Sequence, residues 1–269
     1  FELAKAQHLT ILHSFTKPIP LLELANLIAQ TLADSFQAQQ QSQDKNWTPS
    51  VSQLRDAIRE QQLVLHYQPK IDVATGKTSG FEALVRWQHP EYGLVPPFRF
   101  IRLAEQFGLM GELTSSVLVM AMQQLASWNQ QGLPTRIAVN ISAENLTDLD
   151  FPQKLLQLLQ QYKIEPSQLL LEITETAVMN EVVLSLDILI RLRMNGIGLS
   201  IDDFGTGYSS LAQLHRIPFS ELKIDRRFVH AMGTEAESLA IVETCVFLGH
   251  RLGMKVVAEG VETASILRK

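Results

Sequence analysis

Beyond about residue 51, the chain alternates between short apolar runs and longer stretches in which apolar residues recur at helical spacing. The short runs are rich in Leu, Ile and Val, which is typical of strands buried on both faces of a parallel sheet. In chain order the segments are LVLHYQPKI, SGFEALVRW, a long helical stretch over about residues 98–131, RIAVNIS, FPQKLLQLLQQY, LLLEITET, EVVLSLDILIRLRMNG, GLSIDDFG, YSSLAQLHRI, ELKIDRRF, ESLAIVETCVFLGHRLG, KVVAEGVET and ASILRK. We therefore predict an α/β fold with helices covering the sheet.

The repeated order of strand and helix favours a (β/α) barrel of the TIM type. An open doubly wound sheet is the alternative, but no G-x-G-x-x-G motif follows the first strand. In a barrel the carboxyl ends of the strands meet at one face. The barrel prediction therefore also predicts where a functional site should lie.

The segment before residue 51 has a different pattern. LTILHSF at residues 9–15 predicts a short strand, and PLLELANLIAQTLADSF at residues 20–36 predicts a helix, too little for a core of its own. The polar, glutamine-rich residues 37–50 predict a linker. We expect residues 1–36 to be the end of one domain and residues 51–269 to form another. Because the chain begins at Phe1 and stops inside a predicted helix, we expect it to be a piece of a longer protein.

Composition narrows the classes of function. With 269 residues, 46% of them hydrophobic, the chain is long enough for one large core. A net charge of −5 argues against a general nucleic-acid surface. The single cysteine, Cys245, excludes an internal disulfide and suits a reducing, cytoplasmic location. No apolar run approaches the ~20 residues of a membrane span, so we predict no membrane partner.

Acidic and amide residues fall at the predicted strand ends. These residues are Glu82, Asn140, Glu172, Asp202, Asp203, Asp225 and Glu259. Carboxylates crowded into one pocket repel strongly unless a cation neutralises them. Oxygen ligands without nearby His or Cys favour Mg²⁺ or Mn²⁺, and the adjacent Asp202 and Asp203 suit a site with two ions.

Each of these residues also has an ordinary structural interpretation. A single acid at a strand end is more often a helix N-cap or a solvated loop residue. Six strand ends with the same chemistry argue against that interpretation for the whole set. A lysine such as Lys223 is by default exposed to solvent. Lys223 precedes Asp225 by two positions, however, so the two side chains lie on the same face of a strand.

The motifs together resemble the EAL-domain cyclic di-GMP phosphodiesterases. EALVRW at residues 82–87 is similar to the motif that names the family. The other motifs also stand in the family's order. YQP at 67–69 precedes EALVRW, and after it come NIS at 140–142, EITET at 172–176, DDFGTGYSSL at 202–211, LKIDRRFV at 222–229 and AEGVET at 258–263. The resemblance implies a modified TIM-type (β/α)8 barrel whose first strand is antiparallel. It also implies Mg²⁺- or Mn²⁺-dependent hydrolysis of cyclic di-GMP, a bacterial second messenger, to linear pGpG.

The resemblance assigns roles residue by residue. It implies a first metal held by Glu82, Asn140, Glu172 and Asp202, and a second served by Asp202, Asp203 and Asp225. Glu259 would hold a metal or help to activate water, and Lys223 would orient the nucleophile and stabilise developing charge. The implied substrate contacts are Gln68, Leu84 and Arg86, with Asp203 beside them, and Glu175 would anchor the loop after DDFG. Since these positions are intact, an active enzyme is favoured over the alternative, a non-catalytic cyclic di-GMP receptor.

Two further expectations concern the ends of the chain. The family continues past EGVET to a last strand with a glutamine motif, which the sequence does not reach. At the other end, HSFTKPIPLLELANLI resembles the end of a response-regulator receiver domain, with Lys17 matching its phosphoryl-contacting lysine; a generic strand-Pro-helix junction is the alternative. This resemblance implies a sensor histidine kinase as partner and regulation by phosphorylation. The phosphodiesterase family implies a homodimer.

Overall fold

Residues 47–180, 182–206, 214 and 216–267 are described by a computed structural model of the chain. All helices and strands discussed below belong to one compact unit, Pro49–Lys269. The receiver-like segment with Lys17 lies outside the described residues, as does most of the predicted linker. The expectations for these two regions remain predictions.

The strands alternate with helices as the sequence predicts. The strands are β1 (Leu63–Ile71), β2 (Thr78–His89), β3 (Gly93–Val95), β4 (Ile137–Asn140), β5 (Leu169–Thr174), β6 (Gly198–Phe204), β7 (Glu221–Ile224) and β8 (Lys255–Ala258). The α-helices are α1 (Val51–Arg59), α2 (Ile101–Gln106), α3 (Met110–Gln130), α4 (Phe151–Tyr162), α5 (Glu175–Asn180), α6 (Val182–Met194), α7 (Arg226–Ala231), α8 (Ala236–Arg251) and α9 (Ala264–Leu267). Short 3₁₀ turns lie at Pro97–Arg99, Ala143–Leu146 and Pro166–Gln168.

The sheet has the order β1-β2-β4-β5-β6-β7-β8, with β3 paired to β2. β1 runs antiparallel to β2, with Leu63 opposite Trp87 and Gln68 opposite Glu82. From β2 to β8 each neighbour in this order is parallel. The antiparallel first strand implied by the resemblance is therefore confirmed.

The sheet curls round on itself. Lys70 on β1 lies 2.7 Å from a carboxylate oxygen of Glu221 on β7, although four strands separate β1 from β7 in the sheet order. Such a contact requires the two strands to face each other across an interior. A curled, mostly parallel sheet covered by helices is consistent with the predicted (β/α)8 barrel.

Local sequence explains several element boundaries. Ser50 caps α1 through a reciprocal pair of hydrogen bonds with Gln53, which satisfies amide groups that a helix start leaves without partners. α4 has the bounds that its helical apolar spacing predicts, and it ends where Lys163 takes a left-handed conformation. In β4, Ile137 and its two successors are all buried, as expected for a strand covered on both faces.

The prediction of one continuous helical stretch over about residues 98–131 is wrong. The structure instead has a 3₁₀ turn, then α2, then α3, with a break between Gln106 and Met110. Gly108 adopts a positive φ of 65°, and the Leu109 amide donates to the Ala104 carbonyl, which closes the end of α2. Apolar spacing continues across the break, so periodicity alone misses it.

Of the helices in the described ranges, none has both the length and the apolar character needed to cross a membrane.

Candidate active site

The predicted polar residues at the carboxyl ends of the strands converge on one lysine. Glu82 comes from β2, Glu172 from β5, Asp202 from β6 and Lys223 from β7, while Glu259 directly follows β8. The Lys223 ammonium is within ion-pair distance of all four carboxylates: 3.2 Å from Glu82, 2.8 Å from Glu172, 3.2 Å from Asp202 and 2.6 Å from Glu259. Five strands thus contribute charged groups to one place.

Lys223 is a buried lysine rather than an exposed one. Its side chain is only 2% exposed, so the ordinary surface interpretation of this residue does not hold. Burial by itself would lower the pKa of Lys223, but the surrounding carboxylates outweigh it and raise the pKa above the usual value, led by Glu172 and Glu82. Lys223 is therefore held as a cation at the centre of an acidic cluster.

One lysine does not balance the acids around it. Burial, followed by repulsion from Glu172, raises the pKa of Glu82 to about 7. Burial also raises the pKa of Glu259, although Lys223 opposes the shift. Asn140, the last residue of β4, donates from Nδ2 to Oε1 of Glu82 at 3.1 Å. The site retains an excess of negative charge.

The adjacent aspartates of β6 have different surroundings. Asp203 has a left-handed backbone, with φ of 54°, and its amide donates to Oδ1 of Asp202 at 2.9 Å. One oxygen each from Asp202, Asp203 and Glu259 lie within 4.8 Å of one another. Burial and the neighbouring Asp202 raise the pKa of Asp203 to about 6, helped by a hydrogen bond to Asp225.

Asp225 lies next to Asp203 and also caps a helix. It precedes α7 as its N-cap, and its Oδ1 accepts hydrogen bonds from the Arg227 amide at 2.7 Å and from Arg227 Nε at 3.0 Å. The helix-cap interpretation therefore applies to Asp225, alongside its hydrogen bond to Asp203. The structure brings Asp225 to the edge of the acidic cluster.

The predicted substrate contacts lie on β1 and β2. Gln68 is opposite Glu82 in the strand register, and Leu84 and Arg86 follow Glu82 at alternate positions, which places them on its face of the strand. Arg86 is half-buried, and its Nη1 donates to the Val85 carbonyl at 2.8 Å. Burial lowers the pKa of Arg86, and Glu82 opposes that change.

Glu175 is hydrogen-bonded to the residue that directly follows β6. The buried Glu175 begins α5, and its Oε2 accepts a hydrogen bond from the Gly205 amide at 3.2 Å. Gly205 has a φ of 95°, which a residue with a side chain rarely adopts. Residues 207–211 of the DDFGTGYSSL motif, including Gly207, lie outside the described residues.

Sequence reasoning missed a second layer of charges beneath Glu172. Lys70 donates to Glu172 Oε1 and to Glu221 Oε1, each at 2.7 Å. Ser200 Oγ donates to the same Glu221 oxygen at 3.1 Å. Strand alternation provides a signal for both charged residues, because Lys70 follows Gln68 by two positions and Glu221 precedes Lys223 by two.

The donor set fits a hard divalent cation. The clustered ligand atoms are carboxylate oxygens, which Mg²⁺ and Mn²⁺ prefer, and their excess negative charge favours a cation. Among the described residues, Asp202, Asp203 and Glu259 are the ones whose oxygens lie close enough together to hold an ion.

Known proteins share this architecture and sequence. The EAL domain matches residues 51–269. The chain is 46% identical over 211 residues to the bifunctional diguanylate cyclase/cyclic di-GMP phosphodiesterase MucR of Pseudomonas aeruginosa, an alignment that covers 78% of the chain and 31% of MucR. It is 41% identical over 211 residues to the cyclic di-GMP phosphodiesterase PdeR of Escherichia coli, covering 78% of the chain and 32% of PdeR. The chain spans about a third of the length of these curated relatives.

Solved structures show the same similarity. The PaMucR phosphodiesterase in complex with c-di-GMP superposes with a TM-score of 0.77 at 44% identity, covering 81% of this chain and 89% of that one. An EAL-domain protein from Listeria monocytogenes has a TM-score of 0.71 at 32% identity, covering 82% of this chain and 87% of that one. The curled sheet, the acids at the strand ends and the match over residues 51–269 agree, and the chain belongs to the EAL-domain family.

Proposed function

We propose that this chain hydrolyses one phosphodiester bond of cyclic di-GMP to give linear pGpG, in a reaction that requires Mg²⁺ or Mn²⁺, with two ions. The observation that carries the proposal is the Lys223 ammonium on β7, which lies within 3.2 Å of four carboxylates on, or directly after, four other strands. The names of MucR and PdeR as cyclic di-GMP phosphodiesterases support the substrate. So does the cyclic di-GMP complex of a relative with 44% identity.

Divalent ions at such a site supply Lewis-acid activation of water and neutralise phosphate charge. Lys223 provides a positive charge close to the acids, where it can orient the attacking water and stabilise negative charge that develops on the phosphate oxygens. Its burial makes that interaction stronger than it would be in bulk water.

Glu259 is suited to accept a proton. Its side chain is 27% exposed, so water can reach it, and its pKa is raised by burial, which brings it closer to neutral pH. Arg86 offers a guanidinium group suited to a phosphate oxygen, with Gln68 and Leu84 beside it on the paired strands. Glu175 would hold the loop after Asp203 through its hydrogen bond to Gly205.

The proposal is tested by following pGpG formation from cyclic di-GMP by chromatography. Glu82→Ala and Lys223→Ala should each lower turnover by at least about 100-fold, because each removes a group to which the proposal gives a direct role in the reaction. Glu105→Ala, at an exposed position on α2, is the matched control and should retain wild-type turnover. EDTA should abolish turnover and added Mg²⁺ or Mn²⁺ should restore it.

Two results would contradict the proposal. Wild-type turnover in both site variants would refute the residue assignment. Binding of cyclic di-GMP without hydrolysis, at every Mg²⁺ and Mn²⁺ concentration, would identify the chain as a nucleotide receptor instead.

We further propose that the activity belongs to a cytoplasmic response regulator that forms a homodimer and is controlled by a sensor histidine kinase. The support is the receiver-like sequence HSFTKPIPLLELANLI, with Lys17, joined through a glutamine-rich segment. The full-length protein should hydrolyse cyclic di-GMP at different rates with and without a small-molecule phosphoryl donor. Equal rates would reject this regulation, and a monomeric mass in solution would reject the dimer.

A further inference from the structure

Beneath the acidic cluster lies an ion pair formed by Lys70 and Glu221. Lys70 is the penultimate residue of the antiparallel strand β1, and Glu221 is the first residue of β7. Both therefore lie toward the amino-terminal ends of the parallel strands, on the opposite side of Glu172 from Glu259. Their side chains are only 13% and 11% exposed. A buried ion pair of this kind adds little net stability, because the desolvation of two charges offsets much of their attraction. Its presence therefore suggests a role other than stabilising the fold.

Glu172 connects this ion pair to the site above it. Its side chain is fully buried, and its two oxygens have different partners: Oε1 accepts from Lys70 at 2.7 Å, and Oε2 accepts from Lys223 at 2.8 Å. One donor on each oxygen fixes the plane of the carboxylate. Because Lys70 engages Oε1 from below, Oε2 is the oxygen directed toward the acidic cluster.

Glu221 keeps Lys70 from simply neutralising Glu172. The Lys70 ammonium is shared equally between the two carboxylates, at 2.7 Å from each. Ser200 Oγ donates to the same oxygen of Glu221, which holds that carboxylate in place. Lys70 and Glu221 together carry no net charge, so the pair can orient Glu172 while leaving its negative charge available to a cation.

We propose that Lys70 is a positioning residue, which with Glu221 orients Glu172 so that the single oxygen Oε2 is presented to a divalent cation. The inference rests on the proposed metal-dependent function. It assigns Lys70 no contact with substrate or with the reacting atoms. Hydrogen-bonded partners of metal ligands commonly have this role, since they fix the ligand's orientation before the ion arrives.

Two other accounts of the pair make different predictions. If Lys70 acts only through its charge, its removal makes the site more negative and tightens cation binding. If the pair only stabilises the fold, its removal leaves the affinity of the folded protein for cations unchanged. Positioning predicts weaker binding even when the net charge is conserved, so the direction of the change distinguishes the three accounts.

The test measures Mn²⁺ binding without turnover. Purified proteins are titrated with Mn²⁺ alone, and the free ion is measured from its electron paramagnetic resonance signal. The variants are Lys70→Met and the double variant Lys70→Met with Glu221→Gln, which conserves net charge. Lys154→Met is the matched control, because Lys154 forms an ion pair of the same 2.7 Å length with Asp148 on the exposed surface.

Both Lys70 variants should bind Mn²⁺ at least about tenfold more weakly than wild type, the lower end of the usual loss when a partner of a metal ligand is removed. Lys154→Met should match wild type. The Mn²⁺ concentration that gives half-maximal pGpG formation should shift by the same factor as the dissociation constant.

The outcomes separate this inference from the proposed function. No Mn²⁺ binding by wild type would refute the metal-dependent function itself. Binding by wild type with equal or tighter binding by the double variant would overturn the positioning role alone. If the circular dichroism spectrum shows that Lys70→Met is unfolded, the Mn²⁺ affinity of the double variant tests the positioning role instead. Removing both partners of a buried pair is less disruptive than removing one.

Discussion

Without divalent ions, Glu82 should make the protein less stable as the pH rises. Its pKa is raised from 4.5 to about 7 by burial and by repulsion from Glu172, and its side chain is 14% exposed. The folded protein thus binds this proton more tightly than the unfolded chain does. The resulting stabilisation is complete below pH 4.5 and is lost as the pH rises through about 7.

The size of the effect follows from the same values. The difference between 4.5 and about 7, at about 1.4 kcal/mol per pH unit, corresponds to about 3 kcal/mol of unfolding free energy. Glu82→Gln replaces the carboxyl group by an amide of similar size that does not titrate. Relative to wild type, this variant should therefore gain about 3 kcal/mol of stability between pH 4.5 and pH 8.

Urea denaturation in EDTA, followed by circular dichroism at a series of pH values, measures this difference. Other acids of the cluster also titrate, but they are present in both proteins, so the comparison reports Glu82 together with its interactions with Glu172, Lys223 and Glu259. Glu105→Gln on the surface of α2 is the control and should track wild type. A constant difference between Glu82→Gln and wild type at all pH values would refute the electrostatic reasoning.

Two further predictions concern packing and backbone geometry, both measured as free energies of unfolding in urea. Trp87→Ala should cost about 3–5 kcal/mol because Trp87 is fully buried, while Phe98→Ala, at a side chain that is 76% exposed, should change little; equal losses would contradict the packing. Gly205→Ala should cost about 1–2 kcal/mol or more, because its φ is 95° and a new Cβ would lie 3.2 Å from Phe228. Gly76→Ala, with a φ of 66° but open space around it, should cost less, and the reverse order would refute the close contact at Gly205.

Local periodicity was enough to predict most of the fold. The strand LVLHYQPKI coincides with β1, and FPQKLLQLLQQY coincides with α4. Both are continuous patterns with clear ends, so neighbouring residues decide them. The long predicted helix before β4 failed at Gly108, because its apolar spacing continues across a break that the backbone conformation of one glycine creates.

Part of the site could be predicted in the same way. Glu82 and Glu172 fall at predicted strand ends, which a barrel brings to one face. Alternation along one strand indicated that Lys223 shares the face of Asp225. The environment of each group could not be predicted. The sequence directed Lys223 toward the pocket, but its burial among four carboxylates depends on how closely five strands approach one another.

The sequence by itself determined the order of strands and helices, the chemistry at the strand ends and, through its motifs, the family. Only the tertiary structure revealed the charges beneath Glu172. Lys70 is 102 positions from Glu172 and 151 from Glu221, and no local pattern links them. Their contact exists because the sheet curls until β1 faces β5 and β7. Interactions across that interior depend on the curvature of the whole sheet rather than on any one segment of the chain.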